Sequence, residues 1–338
     1  MEDIEENDPE MMEDSDEEEN EAPKTYLPGQ PLNEDEHLVC DESAYVMLHQ
    51  AQTGAPCLSF DIIKDNLGNT RVNFPMTAYI VAGTQASSAH LNSVIVIKMS
   101  NLNPTSKGES DDDDDDSEDE DEENKAQMSF AFIKHQGCVN RIRVSGRKMQ
   151  SSDNEALLLN THQCNNSLNV LASCSVDKTI RIWDTRAAPH KACKLTVENG
   201  HESDINVISW NKSEPFIASG GDDGFLHIWD LRRFVGGTPV GTFKHHTAPI
   251  TSVEWHWTEH SVLASSGQDN QVALWDLAVE IDDNDEDIET DLKNLPPQLL
   301  FIHQGQTDIK ELHWHKQLPG VVITTAHTGI NVFKSISV

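Results

Sequence analysis

An all-β fold assembled from repeated, similarly built sheets is what the sequence predicts, and three observations predict it. The pattern Asp-x5-Trp-Asp occurs three times, ending at Trp183-Asp184, Trp229-Asp230 and Trp275-Asp276, with successive tryptophans 46 positions apart. Before each lies one phrase: Leu-Ala-Ser-Cys-Ser-Val-Asp at 171–177, Ile-Ala-Ser-Gly-Gly-Asp-Asp at 217–223 and Leu-Ala-Ser-Ser-Gly-Gln-Asp at 263–269. In every copy, alternating Ile, Leu and Val flank a turn built on Asp with Lys, Gly or Asn, the signature of two half-buried strands joined tightly.

A period of about 40 to 45 residues closing on Trp-Asp marks a blade of a WD40 β-propeller. The chain divides on that basis into an acidic tail at 1–35, a short N-terminal helix at 36–54 and a propeller at 55–338, with acidic inserts at 107–126 and 280–295. The helix is predicted from its punctuation. Asp41 or Ser43 can cap its start, Gly54 followed by Pro56 ends it, and Ala44, Tyr45, Leu48 and Ala51 fall at helical spacing on one side. Residues 56–100 form an early blade, through Leu58 to Ile62, Thr77 to Gly83 and Val94 to Met99, and 128–145 open another. Residues 299–338 repeat the pattern without its Trp-Asp.

The middle of the chain breaks the rhythm. The blades of Trp229 and Trp275 have an inner strand upstream, Ile205 to Trp210 and Ile250 to Trp255, introduced by His201 or by His245 and His246. His162 lies 11 positions before Ser173, whereas His201 lies 18 before Ser219, and residues 146–166 fit no blade. Between five and six blades are recognisable; a parent of about seven, each of ~43 residues, implies that roughly two are missing between Val144 and Leu168.

Charge is distributed as unevenly as the repeats are regular. The chain holds 58 acids and 24 bases, a net charge of −34. Residues 2–21 carry 13 of the acids, 109–123 another 13 and 280–291 a further 8, with no Lys or Arg in any of the three stretches. What remains is balanced, so direct nucleic-acid binding through a basic patch is not expected, and the fitting partner is cationic. Solvation alone accounts for an acidic tail, but two of these stretches interrupt the propeller, which points to a basic client bound with salt-sensitive strength. Ser15, Ser110 and Ser117, each followed by acids, are candidate phosphorylation sites.

The start of the chain lacks a basic and apolar leader, and no stretch nears the ~20 apolar residues that span a bilayer, so a soluble intracellular protein without membrane contact is expected. The cysteines show no C-x-x-C, the histidines no H-E-x-x-H, and no phosphate-binding loop occurs, so neither metal nor cofactor is expected. His201, Ser219, Asp223 and Trp229 resemble a hydrolase triad beside an aromatic wall. Ser173, Asp177 and Trp183, and Ser265, Asp269 and Trp275, repeat that arrangement, and a triad repeated with the blades is a structural network rather than a catalyst. Trp183-Asp184-Thr185-Arg186 and Trp229-Asp230-Leu231-Arg232 match the W-D-x-R pattern of propellers that dock on cullin-ring ubiquitin-ligase adaptors, which makes Arg186 and Arg232 candidate adaptor contacts.

The acidic N-terminus, the phrase Ala-Tyr-Val-Met-Leu-His-Gln-Ala-Gln-Thr-Gly-Ala-Pro-Cys-Leu-Ser-Phe-Asp-Ile from Ala44, the mid-chain acidic run and the ending Ile-Ser-Val together resemble the glutamate-rich WD repeat-containing proteins, and more broadly the retinoblastoma-associated histone-binding WD proteins. The resemblance implies a groove for a basic helix, walled by the N-terminal helix and by an acidic loop ending in Pro-Pro. Tyr45, Leu48 and His49 would form one wall, and Asp282, Asp283, Asp285, Glu286, Asp287, Pro296 and Pro297 the other. It further implies a nuclear and nucleolar, non-enzymatic role in large ribosomal subunit assembly, with ribosomal protein L-three, core histones and pre-ribosomal particles as partners.

Overall fold

A computed structural model describes residues 26, 38–105, 125–144, 169–280 and 295–338, and the backbone of 160–163. The repeat phrases become antiparallel sheets of four strands each. Blade 1 consists of β2 (Cys57–Ile62), β3 (Met76–Thr84), β4 (Ser93–Leu102) and β5 (Gln127–Lys134). Blade 2 consists of β6 (Asn160–Gln163), β7 (Val170–Cys174), β8 (Ile180–Asp184) and β9 (Cys193–Val197). Blade 3 contains β10 (Ile205–Trp210), β11 (Phe216–Gly221), β12 (Phe225–Asp230) and β13 (Gly241–Lys244), and blade 4 contains β14 (Ile250–Trp255), β15 (Val262–Gly267), β16 (Val272–Asp276) and β17 (Leu299–His303). Blade 5 is β18 (Ile309–Trp314), β19 (Val321–Ala326) and β20 (Gly329–Ser335), with β1 (Tyr45–Ala51) as its outermost strand.

That last pairing corrects the expected helix. Asp41 caps only a single 3-10 turn, Glu42–Ala44, and the chain then runs as β1 antiparallel to β20. The misleading signal has a physical origin. A bulge between Tyr45 and Met47 adds one residue to β1, so Tyr45 and Leu48, three positions apart, both reach the core between blades 4 and 5, while Met47 enters the core between blades 5 and 1. An i, i+3 spacing that reads as helical is therefore produced by a strand. Tertiary context decides the matter, because β20 without β1 would leave a row of backbone N–H and C=O groups unpaired.

Residues 146–166 also need correction. β6 lies within them and supplies blade 2 with its innermost strand, pairing Asn160 with Cys174 and Gln163 with Leu171. Upstream of it, residues 139–144 dock on blade 1 as each inner strand docks on its predecessor. The Trp314 N–H donates to Glu254 Oε2 (2.9 Å), the Phe60 N–H to Glu311 Oε2 (2.9 Å), the Ile142 N–H to Ser59 Oγ (3.1 Å) and the Val144 N–H to Asp61 Oδ2 (2.7 Å). The packing repeats too: a Cβ added to Gly83 would meet Val139 at 2.3 Å, as one added to Gly220 would meet Ile250 at 2.4 Å. Residues 139–144 thus occupy an inner-strand position, with no sheet partner among the described residues. The expected opening at 128–145 resolves into the outer strand of blade 1 followed by this segment.

Candidate functional site

The candidate site is built where blade 5 closes against blade 4. β1 presents Tyr45, 8 % exposed, to β17. Its ring stands edge-on to Phe301 (centroids 5.3 Å) and Phe333 (6.1 Å), and its hydroxyl lies 2.8 Å from His303 Nδ1. Asn331 Nδ2 donates to His303 Nε2 at 3.1 Å, so Nδ1 carries the proton and donates it to Tyr45. Burial holds His303 down at about 4, and the ring is neutral at physiological pH. Leu48 packs half-buried on the same core, and His49, lowered by burial, binds the Asn103 carbonyl at 2.9 Å.

The strand that meets Tyr45 is also the one that leaves the third acidic stretch. Pro296 and Pro297 precede β17, where the Leu299 N–H donates to the Pro296 carbonyl at 2.9 Å. The Gln298 side chain donates to the Val279 carbonyl at 3.0 Å and fastens the neck of the loop. Asp282, Asp283, Asp285, Glu286 and Asp287 lie outside the described residues, as do Ser15, Ser110 and Ser117. Their attachment points are nonetheless defined. The stretch at 280–291 leads into β17, that at 109–123 into β5, and the N-terminal one, through residues 22–44, into β1. Each of these is the outermost strand of its blade, and blades 4, 5 and 1 are consecutive neighbours sharing apolar cores.

The repeated residues do a different job. His201 holds Asp223 through Nδ1 (3.0 Å) and meets Ser219 Oγ through Nε2 (2.7 Å), while Trp229 Nε1–H donates to the same oxygen at 2.8 Å. His246, Asp269, Ser265 and Trp275 repeat the chain at 3.0, 2.8 and 2.9 Å. His246 holds the place that His201 holds in blade 3. In blade 2, Trp183 donates to Ser173 at 2.8 Å and Asp177 binds Thr179 in its turn, and Trp183 is half-buried where Trp229 and Trp275 are enclosed. Arg186 and Arg232, each with an exposed side chain, fold back as paired donors onto Asp184 and Asp230.

A further ionic cluster escaped the sequence reading. His313 Nδ1 lies 2.9 Å from Glu254 and its Nε2 3.6 Å from Glu311, which in turn holds Arg143 and accepts from Ser59. Burial opposes the charge on His313, but Glu254 and then Glu311 outweigh it and raise its pKa to about 9. The recognisable signal is positional. Ser209, Glu254, His313 and Asp61 each stand immediately before the residue that ends an inner strand, and Arg143 stands immediately before Val144 in the segment docked on blade 1.

Comparison with known proteins places this geometry. Residues 35–103 match the family described as histone-binding protein RBBP4 or a subunit of the CAF1 complex, a span that runs from before β1 to the end of β4. The WD domain, G-beta repeat, matches 152–184, 192–230 and 237–276. Ribosome assembly protein rrb1 of Schizosaccharomyces pombe is 36% identical over 422 aligned positions that take in 95% of this chain and 87% of the relative. Glutamate-rich WD repeat-containing protein 1 of Dictyostelium discoideum is 37% identical over 419, covering 90% of this chain and 83% of the relative. The chain belongs to the glutamate-rich WD repeat-containing family. Another relative, Protein HEAT STRESS TOLERANT DWD 1 of Arabidopsis thaliana, is 33% identical over 427 positions, covering 91% and 90%. All three alignments are longer than the 338 residues of this chain, the first by at least 84 positions, which is about two blades of sequence that the relatives hold and this family member does not.

Proposed function

We propose that this protein is a non-enzymatic chaperone and assembly factor for basic nuclear proteins, with ribosomal protein L-three in large-subunit assembly and core histones as its clients, working in the nucleus and nucleolus and meeting pre-ribosomal particles through its client. One observation carries the reading: three acidic stretches each precede, in sequence, the outermost strand of one of three consecutive blades. A strongly basic protein away from its nucleic acid needs such a counter-charged cover. The relatives' names support the assembly role, and the histone-binding match over residues 35–103 covers β1, which packs on the strand leaving the third acidic stretch. In this reading Asp282 to Asp287, Pro296 and Pro297, together with the β1 face of Leu48 and His49, grip a basic segment of the client. The stretches at 2–21 and 109–123 cover its remaining charge.

Two experiments test this. Purification of the tagged chain from nuclear extract at near-physiological and at high salt, with mass spectrometry of what stays bound, should retain one ribosomal protein or a histone pair in near-stoichiometric amount. Many basic proteins washing off together would reduce the acidic stretches to a nonspecific sink. Reversing Asp285, Glu286 and Asp287 to Lys should weaken client binding about tenfold or more, beyond the loss from reversing as many acids in the tail. Equal losses would leave only bulk charge. The rival reading, a cullin-ring ligase substrate receptor, rests on exposed Arg186 and Arg232; substituting both with Ala should leave client binding intact.

A further inference from the structure

Of the five outermost strands, β1, β5, β9, β13 and β17, only β5 carries exposed large hydrophobic side chains among the described residues, and it carries three. Phe130 is 39%, Phe132 61% and Ile133 60% exposed. Phe130 and Phe132 lie on one face with rings stacked 5.7 Å apart, and Ile133 points to the other. β5 ends its sheet and pairs only with β4 among the described residues, so its outer edge offers backbone donors and acceptors to an added strand. Beside Phe132 lies an open groove of about 680 Å³ lined in part by Pro56, Leu91, Ile95 and His327. That volume accommodates a large apolar side chain with the backbone that carries it. Natural outer strands protect such edges with charge or cover, and this one has Lys134 at its far end and apolar rings along its length.

We propose that β5 takes up an extended segment of a basic partner as a fifth strand of blade 1, with the partner's apolar side chain in the groove against Phe132 and its Lys and Arg residues gathered toward Gln127. The charge follows from the chain itself. The acidic stretch at 109–123, with 13 carboxylates, stops three residues before β5 begins, so the strand's own sequence context favours a cationic partner. Main-chain pairing supplies the binding and alternate side chains the selectivity, as in other strand-addition complexes. The inference rests on the reading that the client is basic, but it concerns a surface separate from the closing blade.

The test uses the full chain and two fluorescein-labelled probes of equal charge, an alternating lysine–valine peptide with one central phenylalanine, and a lysine-rich helix-forming peptide. Binding is read by anisotropy, and amide hydrogen exchange is followed along residues 127–134. The strand-forming probe should slow exchange across β5, and the pair Phe130→Thr and Phe132→Thr, which keeps strand propensity, should weaken it about tenfold or more. The helix-forming probe, held by charge alone, should be unaffected by that pair. Leu67→Thr, at another exposed apolar position, should change neither probe, and thermal unfolding checks that all variants are folded. Unchanged binding in the Phe variants, or no protection at β5, overturns the proposal. Loss of self-association in those variants would also overturn it, by making a second copy the occupant. If charge reversal at 285–287 has no effect while the β5 effect persists, the groove at the closing blade fails and this site stands; the converse isolates failure of this site alone.

Discussion

Ser219 shows how one hydroxyl organises a blade. It is fully buried, accepts from Trp229 and donates to His201, so removing it strands two partners at once. Ser219→Ala is expected to cost about 3 kcal/mol, because both the indole N–H and the imidazole nitrogen lose their partner where water cannot replace it. Ser173→Ala should cost about 1 kcal/mol, since Trp183 is half-buried and solvent can substitute. Urea unfolding of the two variants checks the ordering, and equal losses would contradict it. The recurrence of these residues at a fixed interval is legible from the sequence alone. The poorer enclosure of Trp183 is not, because it depends on what lies beside blade 2.

β1 is the element at which local and long-range signals conflict. Residues 41–53 satisfy a helical pattern at every step visible in sequence: a capping Asp41, apolar residues three apart and a Gly54 stop. The bulge at Tyr45 to Met47 reproduces that spacing on a sheet face, and the open edge of β20 decides the outcome. Such an edge lies almost the whole chain away, so no window centred on Tyr45 contains it. The clasp itself is testable. Tyr45→Phe leaves the buried His303 Nδ1–H without an acceptor and should lower stability by about 1 to 2 kcal/mol, measured by thermal unfolding with near-ultraviolet dichroism as a second probe. No change would mean that the hydroxyl is not what holds β1 to β17.

For the molecule as a whole, pH should act through two sets of histidines of opposite sign. His313 has its folded pKa raised to about 9, so the stability it contributes is fully present below its unfolded value near 6.5 and is lost as pH rises through 9. His227, His303 and His315 are held at about 4 by burial; their contribution is complete above 6.5 and is lost as pH falls toward 4. Stability should therefore peak near pH 6.5 and decline on both sides. His313→Gln should flatten the alkaline limb while leaving the acid one, as read from unfolding midpoints between about pH 5 and 9.5. An unchanged alkaline limb would show that the linkage between blades 4 and 5 does not depend on that proton.

The repeat, the acidic stretches and the break in mid-chain are properties of the sequence, because blade turns and strands are set by residues within a few positions of one another and charge needs no fold to be counted. The pairing of β1 with β20, the assignment of 160–163 to blade 2 and the docking of 139–144 on blade 1 were settled only by tertiary structure, since each depends on a hydrogen-bonding partner supplied from elsewhere in the chain. The same holds for the placement of the acids. Their numbers are written along the chain, but that the strands following them, β17, β1 and β5, belong to three neighbouring blades is decided by the fold, because β1 places blade 5 between blades 4 and 1 only by pairing with the last strand.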